Sequence, residues 1–576
     1  MLVLRHIIRL MKLCIRGPGG KVGIAYYVVV LALELADIAV SLRMIAWTKD
    51  FYDALQQANA PEALRQIGIF SLIVLVAVAL GLSSTYLRKL LEIRWRGALT
   101  SQILDRWLEG KAYLRMKRGA DGSNLDNPDQ RIAEDCRIFL AGATMDHGSA
   151  SGIISMSLDL VTRIVALFSY VALLWSLSAF ALDLSFIGID AELPRYMVWA
   201  AFAYVALSSG ITHLLGRPLK QLYVWQQRRE ADYRFALVRL RENAEAVALS
   251  DGEPSERKEI DTRFTGIIAN WRQLINRELI LSLFTAPYHR TVLRIPIFLA
   301  LPVFFAGNLT FGSLMQLGSA FSSVVTTLSW FIFAYRPLAE LAAASSRLGR
   351  FLEEMDKHPQ GGIHATIGPS DKLVIANLSL STPQGRRLLD VPGLDIERGE
   401  TVWLKGASGI GKTTLLKALA AIWPYGSGRL VVPSTTSTFL PQHPYLPLGG
   451  IADAVAYPRS AGDLPDGDIK AALAAAGFPS ERMSMPIDGL SGGEHQRLAL
   501  ARLFLHRPAW IFLDEAMSAL DTRAENHLLK RLRHDLPGST FVIVSHRSPE
   551  AIGGVRIVDL DRSKPAGIHA GTMEDA

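Results

Sequence analysis

The stretch Gly406-Ala407-Ser408-Gly409-Ile410-Gly411-Lys412-Thr413-Thr414 constrains this chain more than any other. It has the form G-x-x-x-x-G-K-[ST], a loop that binds phosphate. An apolar run, Thr401-Val402-Trp403-Leu404, leads into it, and Leu415-Leu416-Lys417-Ala418-Leu419 leads out. Strand, loop and helix in that order are the context the motif needs. Glycines let successive backbone N–H groups turn inward, and the positive end of the following helix faces the same spot. Lys412 is placed to reach the β- and γ-phosphates, and the Thr413 hydroxyl to ligate Mg²⁺.

The hydrophobic half of the composition is not spread evenly. It clusters before residue 340 in runs of about 20 residues, the length that crosses a bilayer. About six spans are expected, near 22–46, 67–87, 152–177, 196–215, 279–307 and 314–335. The net charge of +7 raises nucleic acid as a partner. The basic residues sit in the loops between apolar runs, however, which is the positive-inside pattern and argues against nucleic acid. The N-terminus and the loops near 88–150 and 216–278 hold nearly all the Lys and Arg, so both termini are expected in the cytoplasm. Helical charge patterns in those loops suggest that the spanning helices continue out of the membrane. Residues 1–21 carry Arg5, Arg9, Lys12 and Arg16 among Leu and Ile, which suits an amphipathic helix on the membrane surface. Cys14 and Cys136 fall on the cytoplasmic side, where no disulfide is expected.

The expected organisation is an all-α membrane domain over 1–355, a linker over 356–370, a soluble α/β domain with a largely parallel sheet over 371–564, and a loose tail over 565–576. Within the soluble part, Trp510-Ile511-Phe512-Leu513-Asp514-Glu515 is an apolar strand ending in two carboxylates. An Asp delivered beside a phosphate loop holds Mg²⁺, and Glu515 is placed to polarise an attacking water. Leu490-Ser491-Gly492-Gly493-Glu494 opens a helix whose N-terminus can bind an anion. Ser518-Ala519-Leu520-Asp521 follows the acidic pair, Gln442 follows the strand at Phe439-Leu440, and His546 follows the strand 541–545. Each has a bland alternative alone: a helix start for the carboxylates, a turn for Gln442, a structural role for His546. Their order after one phosphate loop makes the functional reading the better one.

These residues resemble an ATP-binding cassette (ABC) domain over about 371–564. The resemblance implies Walker A at Gly406–Thr414, a Q-loop at Gln442 that joins Thr413 and Asp514 at Mg²⁺, and a signature at Leu490–Glu494. It implies Walker B ending at Asp514, a catalytic Glu515, a D-loop at Ser518–Asp521 and a switch His546. Such domains work in pairs, so a second identical chain is implied, with Ser491 and Gly493 of one copy facing the γ-phosphate held by Lys412 of the other. The aromatic that stacks on adenine is missing; Ser381-Thr382-Pro383 stands in its place. Asn127-Pro128-Asp129-Gln130-Arg131-Ile132, Gly216-Arg217-Pro218-Leu219, Arg241-Glu242-Asn243-Ala244-Glu245 and Phe311-Gly312-Ser313-Leu314-Met315-Gln316 resemble the SbmA/BacA-like membrane domain. Phe439-Leu440-Pro441-Gln442-His443-Pro444-Tyr445-Leu446-Pro447 fits the same branch, which is similar to the peroxisomal and lysosomal half-transporters of subfamily D. Its members are associated with peptides, cobalamin and fatty acyl-CoA.

Charged residues inside spans point to sites, since each costs roughly 2.5–3.5 kcal/mol at mid-bilayer. Arg290 and Arg294 lie four apart and are expected on one helix face lining a solute cavity, with His289 at its edge. Asp159 and Arg163 can simply pair, and Glu34 and Asp37 form either a polar site or a snorkelling pair. The resulting expectation is an ATP-driven transporter of a polar or amphipathic solute in a bacterial inner membrane. The alternative is a proton-coupled transporter whose ATPase domain only regulates, with Glu34, Asp37 and His289 relaying protons.

Overall fold

The computed structural model describes residues 2–117, 128–142, 152–183, 192–357, 362–368, 371–479, 481, 483, 487 and 489–561. They form two units, 2–109 with 128–354, and 110–117 with 355–561. The expected tail over 565–576 lies outside the described residues, as does Asn127 of the first membrane motif.

The first unit is helical. α1 (Leu2–Arg16) buries His6, Leu10, Leu13 and Cys14 along one stripe and exposes Arg5, Lys12 and Arg16. α2 (Gly20–Gln56) and α3 (Ala60–Leu108) form a long antiparallel hairpin. Its turn is set by Asn59, whose side chain accepts from Glu62 N at 3.2 Å, with Pro61 in the first helical turn. Indole N–H groups fasten the hairpin at its two ends: Trp47 donates to Gln66 O (2.8 Å) and Trp95 to Gly20 O (3.3 Å).

After α4 (Ala112–Lys117) come α5 (Pro128–Gln130), a π-helical turn at Arg131–Asp135, α6 (Cys136–Ala141) and α7 (Ile153–Leu177). A short antiparallel pair, β1 (Ala181–Asp183) with β2 (Glu192–Pro194), leads into α8 (Tyr196–Glu242). α9 (Ala244–Leu249) links it to α10 (Glu253–Thr291), followed by α11 (Ile295–Phe305), α12 (Phe311–Phe333) and α13 (Tyr335–Asp356). At 1.5 Å per residue α8 is about 70 Å long, more than twice a bilayer's hydrocarbon thickness. α10 runs beside it, and Asn270 locks the two by donating to Leu222 O (3.0 Å) and Gln226 Oε1 (2.8 Å). α8 and α10 are each longer than the hydrocarbon core of a bilayer is thick. Leu174, Met197, Ala201, Val205, Ala300, Leu317, Phe321 and Val324 make the apolar core of α7, α8, α11 and α12.

Among the described residues, three helical stretches have the length and composition to cross a membrane: Ala60–Met116, Ile153–Leu177 and Tyr196–Glu242. Ile295–Phe305 is a shorter apolar helix. The expected fifth span is thus not one helix: α10 ends at Thr291 and α11 begins at Ile295. Pro296, in the first turn of α11, has no N–H to continue a helix from α10.

The second unit is α/β. Five strands form an all-parallel sheet in the order β11 (Val555–Asp559), β6 (Thr401–Lys405), β10 (Thr540–Val544), β9 (Trp510–Asp514), β8 (Ser437–Leu440). Every residue of β9 and β10 is buried, as the unbroken apolar runs require. A second sheet orders β3 (Gly362–Ile367), β7 (Gly426–Val432), β4 (Leu373–Ser381) and β5 (Arg387–Ile396). β3 corrects the expected linker: residues 362–367 pair in parallel with β7 instead of hanging free, because Ile363, Ala365 and Ile367 alternate with polar residues as an edge strand does. α14 (Lys412–Leu419), α17 (Gly492–His506) and α18 (Thr522–Asp535) flank the parallel sheet, and α15 (Ile451–Ala456) and α16 (Asp466–Ala475) pack on α17.

Candidate functional site

Parallel strands deliver their C-terminal ends to one edge of a sheet, and the order of the five strands decides which ends meet there. β6 runs straight into the loop 406–411 and α14. Gly409 and Gly411 have φ of 80° and 113°, the left-handed region that a Cβ disfavours, and they turn the loop onto the helix N-terminus. Lys412 is 7% exposed, and its ammonium donates to Gly406 O (2.8 Å) and Ala407 O (3.0 Å) inside the loop. Thr413 begins the same helix, and its hydroxyl donates to Asp514 Oδ1 at 3.0 Å. The phosphate loop and the acidic strand end therefore meet through those two side chains.

β9 and β10 are neighbours in register, Asp514 opposite Val544. One residue further, Glu515 N donates to Val544 O at 2.8 Å. That alignment sets Glu515 beside the residues that follow β10, and His546 Nε2 lies 3.0 Å from Glu515 Oε1. Glu515 has φ 51°, a left-handed conformation that is strained for a residue with a Cβ. Burial pushes the Asp514 carboxyl above the usual carboxylate range, Thr413 pulls it down, and adjacent Glu515 raises it again. Two close carboxylates that partners satisfy only in part are a cation site in the making. Thr413 and Asp514 supply hard oxygens, so they fit Mg²⁺, and the glycine cradle with Lys412 fits a polyphosphate. Gln442 follows β8, the strand beside β9, with its side chain exposed.

Ser491 caps α17. Its hydroxyl oxygen accepts from Glu494 N (3.3 Å), and Glu494 Oε2 accepts from Ser491 N (2.9 Å), a reciprocal capping box that opens the helix with Gly492 and Gly493 in its first turn. Asp521 caps α18, accepting from Ala524 N at 2.8 Å, and that backbone N–H holds its carboxyl below the usual range. Ser381-Thr382-Pro383 runs from the end of β4 into the turn that follows and carries no aromatic. The Ser381 carbonyl instead accepts from Trp423 Nε1 (3.0 Å), and Trp423 meets Tyr425 edge-on at 5.4 Å.

Three residues of this region escape a reading by motif. Gln496 on α17 is buried and bonds to the segments of both Gln442 and Ser518. Arg502 threads its guanidinium between Ala454 O (2.7 Å) and Tyr445 O (2.8 Å) and fixes α15 to α17. Asp561, two residues past β11, accepts from Ala407 N at 3.1 Å through both oxygens. Gln496 did leave a signal: Ala499, Leu500 and Leu503 occupy the same helical face, so a polar side chain there faces the interior.

In the membrane unit, Arg290 lies on α10 and Arg294 beyond its end, so the expected shared helix face is interrupted; both are exposed. The His289 side chain lies outside the described residues. The better-built polar cluster lies elsewhere. Glu34 Oε1 accepts from Ser84 Oγ (3.2 Å) and lies 4.0 Å from Arg88, and Asp159 is within electrostatic reach of Arg88 and Arg163.

Comparison with known proteins agrees with this geometry. Residues 10–305 match the family model described as ABC transporter transmembrane region 2, and residues 389–518 match that described as ABC transporter. An Escherichia coli (strain K12) protein, the inner membrane ABC transporter ATP-binding protein YddA, is 33% identical over 95% of each chain. ABC transporter D family member 2, chloroplastic, of Arabidopsis thaliana is 26% identical over 90% of this chain and 80% of its own. The Mus musculus ATP-binding cassette sub-family D member 3 is 26% identical over 79% of this chain and 72% of its own. A helical membrane domain followed by a cassette in which the loop, the acidic strand end and His546 converge has one reading: the chain belongs to the ABC transporter family, as a subfamily D-like half-transporter that binds ATP and couples its hydrolysis to transport.

Proposed function

We propose that two copies of this chain move a polar or amphipathic solute across a bacterial inner membrane, with both termini and the cassettes in the cytoplasm. The observation that carries the reading is the junction of Thr413 with Asp514 and of Glu515 with His546 at one sheet edge. Lys412 and the backbone of Gly406–Thr414 bind the phosphates. Glu515 polarises the attacking water, and His546, with Nε2 3.0 Å from Glu515 Oε1, orients that carboxylate. Thr413, Gln442 and Asp514 would hold Mg²⁺, which neutralises phosphate charge when bound.

One chain carries one phosphate loop and one Ser491–Glu494 turn, so a complete site takes a second chain. ATP sandwiched between the copies favours one arrangement of the membrane helices, and hydrolysis releases it. Lys and Arg concentrated in the long loops support the orientation. The quoted membrane motifs support an SbmA/BacA-like branch, whose associated solutes are peptides, cobalamin and acyl-CoA. Arg290, Arg294 and His289 would recognise an anionic or strongly accepting group on the solute.

The experiment is transport by the purified protein in sealed vesicles, with those three solute classes and with ATP or no nucleotide. ATP-dependent movement of one class, lost in E515Q, is expected. A catalytically active monomer, or uptake indifferent to ATP, would overturn the reading.

A further inference from the structure

Gln496 is 3% exposed on the inner face of α17. Its carboxamide makes three hydrogen bonds to two separate segments. Nε2 donates to Gln442 O (3.2 Å) and to Ser518 Oγ (3.2 Å), and Oε1 accepts from Ala519 N (2.9 Å). The amide cannot be turned round: Ala519 N–H can only donate and the Gln442 carbonyl can only accept. Both Nε2 hydrogens are therefore committed, one to each segment.

The bonds continue toward the reacting centre. Ser518 N donates to Glu515 O at 3.0 Å, so the turn that Gln496 grips starts at Glu515. Glu515 sits at φ 51°, a conformation that persists only where the surroundings hold it. Its own N–H is tied to Val544 O, and the Ser518–Ala519 end of the turn is tied to Gln496. Gln496 thus links the backbone of Gln442 to the turn that starts at the strained backbone of Glu515.

We propose that Gln496 is a positioning residue for ATP hydrolysis, holding the Gln442 segment and the 515–519 turn in one register so that a shift of one repositions Glu515. The proposal rests on the reading of Glu515 as the carboxylate that polarises water. Only a side chain with two N–H donors and an acceptor, at glutamine's length, serves all three partners. Leucine serves none, and an ionised glutamate points a charge at the Gln442 carbonyl.

The test uses the full-length protein in lipid nanodiscs. Q496L is expected to keep its ATP affinity, read with a fluorescent ATP analogue, while kcat falls roughly 10- to 100-fold, the loss that a small misplacement of a reacting group brings. Amide hydrogen exchange at Ala519 is expected to speed up in Q496L, because the Gln496 acceptor is removed. Q496E is expected to regain kcat relative to wild type as pH falls, since a protonated carboxyl can donate one bond again. The ionisable residues along the segments that meet Gln496 are Glu494, His495 and Arg497 on α17, Glu515 and Asp521 around the turn, and His443. All are shared with wild type, so the ratio of the two rates cancels them. Should Q496L fail to fold, the Q496E profile decides. Wild-type kcat in folded Q496L, or a Q496E-to-wild-type ratio flat with pH, overturns the role of Gln496. E515Q separates the two readings: if it is inert while Q496L is normal, only the Gln496 role falls, and if E515Q turns over normally, the Glu515 reading falls.

Discussion

Asp135 in the membrane unit and the pair Asp514–Glu515 in the cassette are carboxylates largely withdrawn from water, and their surroundings treat them in opposite ways. Asp135 is 2% exposed and receives N–H groups from Arg131 (2.8 Å) and from both Nε (2.9 Å) and Nη2 of Arg347. Two positive charges converge on one negative charge. Asp514 has one hydroxyl donor, Thr413, and a second carboxylate as its neighbour; Glu515 has His546 and a strained backbone. A carboxylate that fastens α13 to the π-turn is over-supplied with partners. The two carboxylates proposed to meet a cation and a water are left short of them. The shortage is the mark of the site, because incoming charge completes it.

The largest effect expected from this contrast is on turnover. E515Q keeps the size of the side chain and removes the proposed base. ATPase activity should fall roughly 10²- to 10⁴-fold, the usual contribution of a positioned general base. Nucleotide should stay bound, and the melting temperature without nucleotide should change little. If E515Q lowers stability more than activity, Glu515 belongs with Asp135 as a structural group, and the contrast collapses.

Next comes D135A, where the loss should be in stability. Removing one member of a buried charge cluster leaves Arg131 and Arg347 unpaired and typically costs about 3–5 kcal/mol. The readout is the yield and thermal melting of the detergent-solubilised protein. R347M in the same background should recover part of the loss, since it removes one orphaned charge. A D135A protein that melts like wild type would show that the cluster is not what anchors α13.

How much of this was legible in the sequence follows the same division. Strands β6, β9 and β10 were readable because buried parallel strands are short apolar runs, and the residues that follow them are motifs. The mixed sheet was harder. β7 opens with Gly426-Ser427-Gly428, which reads as a turn by composition. In the structure Gly426 and Gly428 sit at φ 148° and 130°, against the strand β4 where a bulge follows Ala376 and Asn377 takes φ 47°. A Cβ at Gly428 would meet the Asn377 carbonyl, so the glycines serve a close approach within a strand. The Asp135–Arg347 junction spans 212 residues and carries no local pattern. Gln496 had a local pattern, a polar residue on an apolar face, but its partners come from two segments that only the fold unites.

A smaller effect is expected at Ser491, which belongs to both halves of the contrast. As a helix cap it is structural, and S491A should cost about 1 kcal/mol in the stability of the cassette. On the proposed reading Ser491 faces the partner copy's nucleotide, and S491A should then also slow turnover. Asparagine caps as well as serine, so S491N should restore stability. If turnover returns with it, the cap alone explains the residue; if turnover stays low, the hydroxyl has a role across the dimer.

The smallest effect is a pH dependence of stability, and its sign is the sharpest check on the idea that Asp514 is kept short of partners. Burial raises its carboxyl above the ordinary value for Asp, with Glu515 adding to the rise and Thr413, Lys417 and Lys412 opposing it. The folded state then holds a proton that the unfolded state has released, so between the ordinary Asp value and the raised one the native chain binds more protons. Stability must therefore fall as pH rises through that window and stay lower above it. D514N keeps an oxygen to accept from Thr413 and carries no charge, so it escapes the penalty. Without nucleotide and with EDTA, D514N should melt slightly above wild type at neutral pH, and the two should converge once the pH drops below the ordinary Asp value. Adding Mg²⁺ with ATP should reverse the order, because the wild-type carboxylate gains the cation it was short of and the amide does not. If D514N melts below wild type at neutral pH without nucleotide, Asp514 is already satisfied by its protein partners, and the distinction from Asp135 is lost.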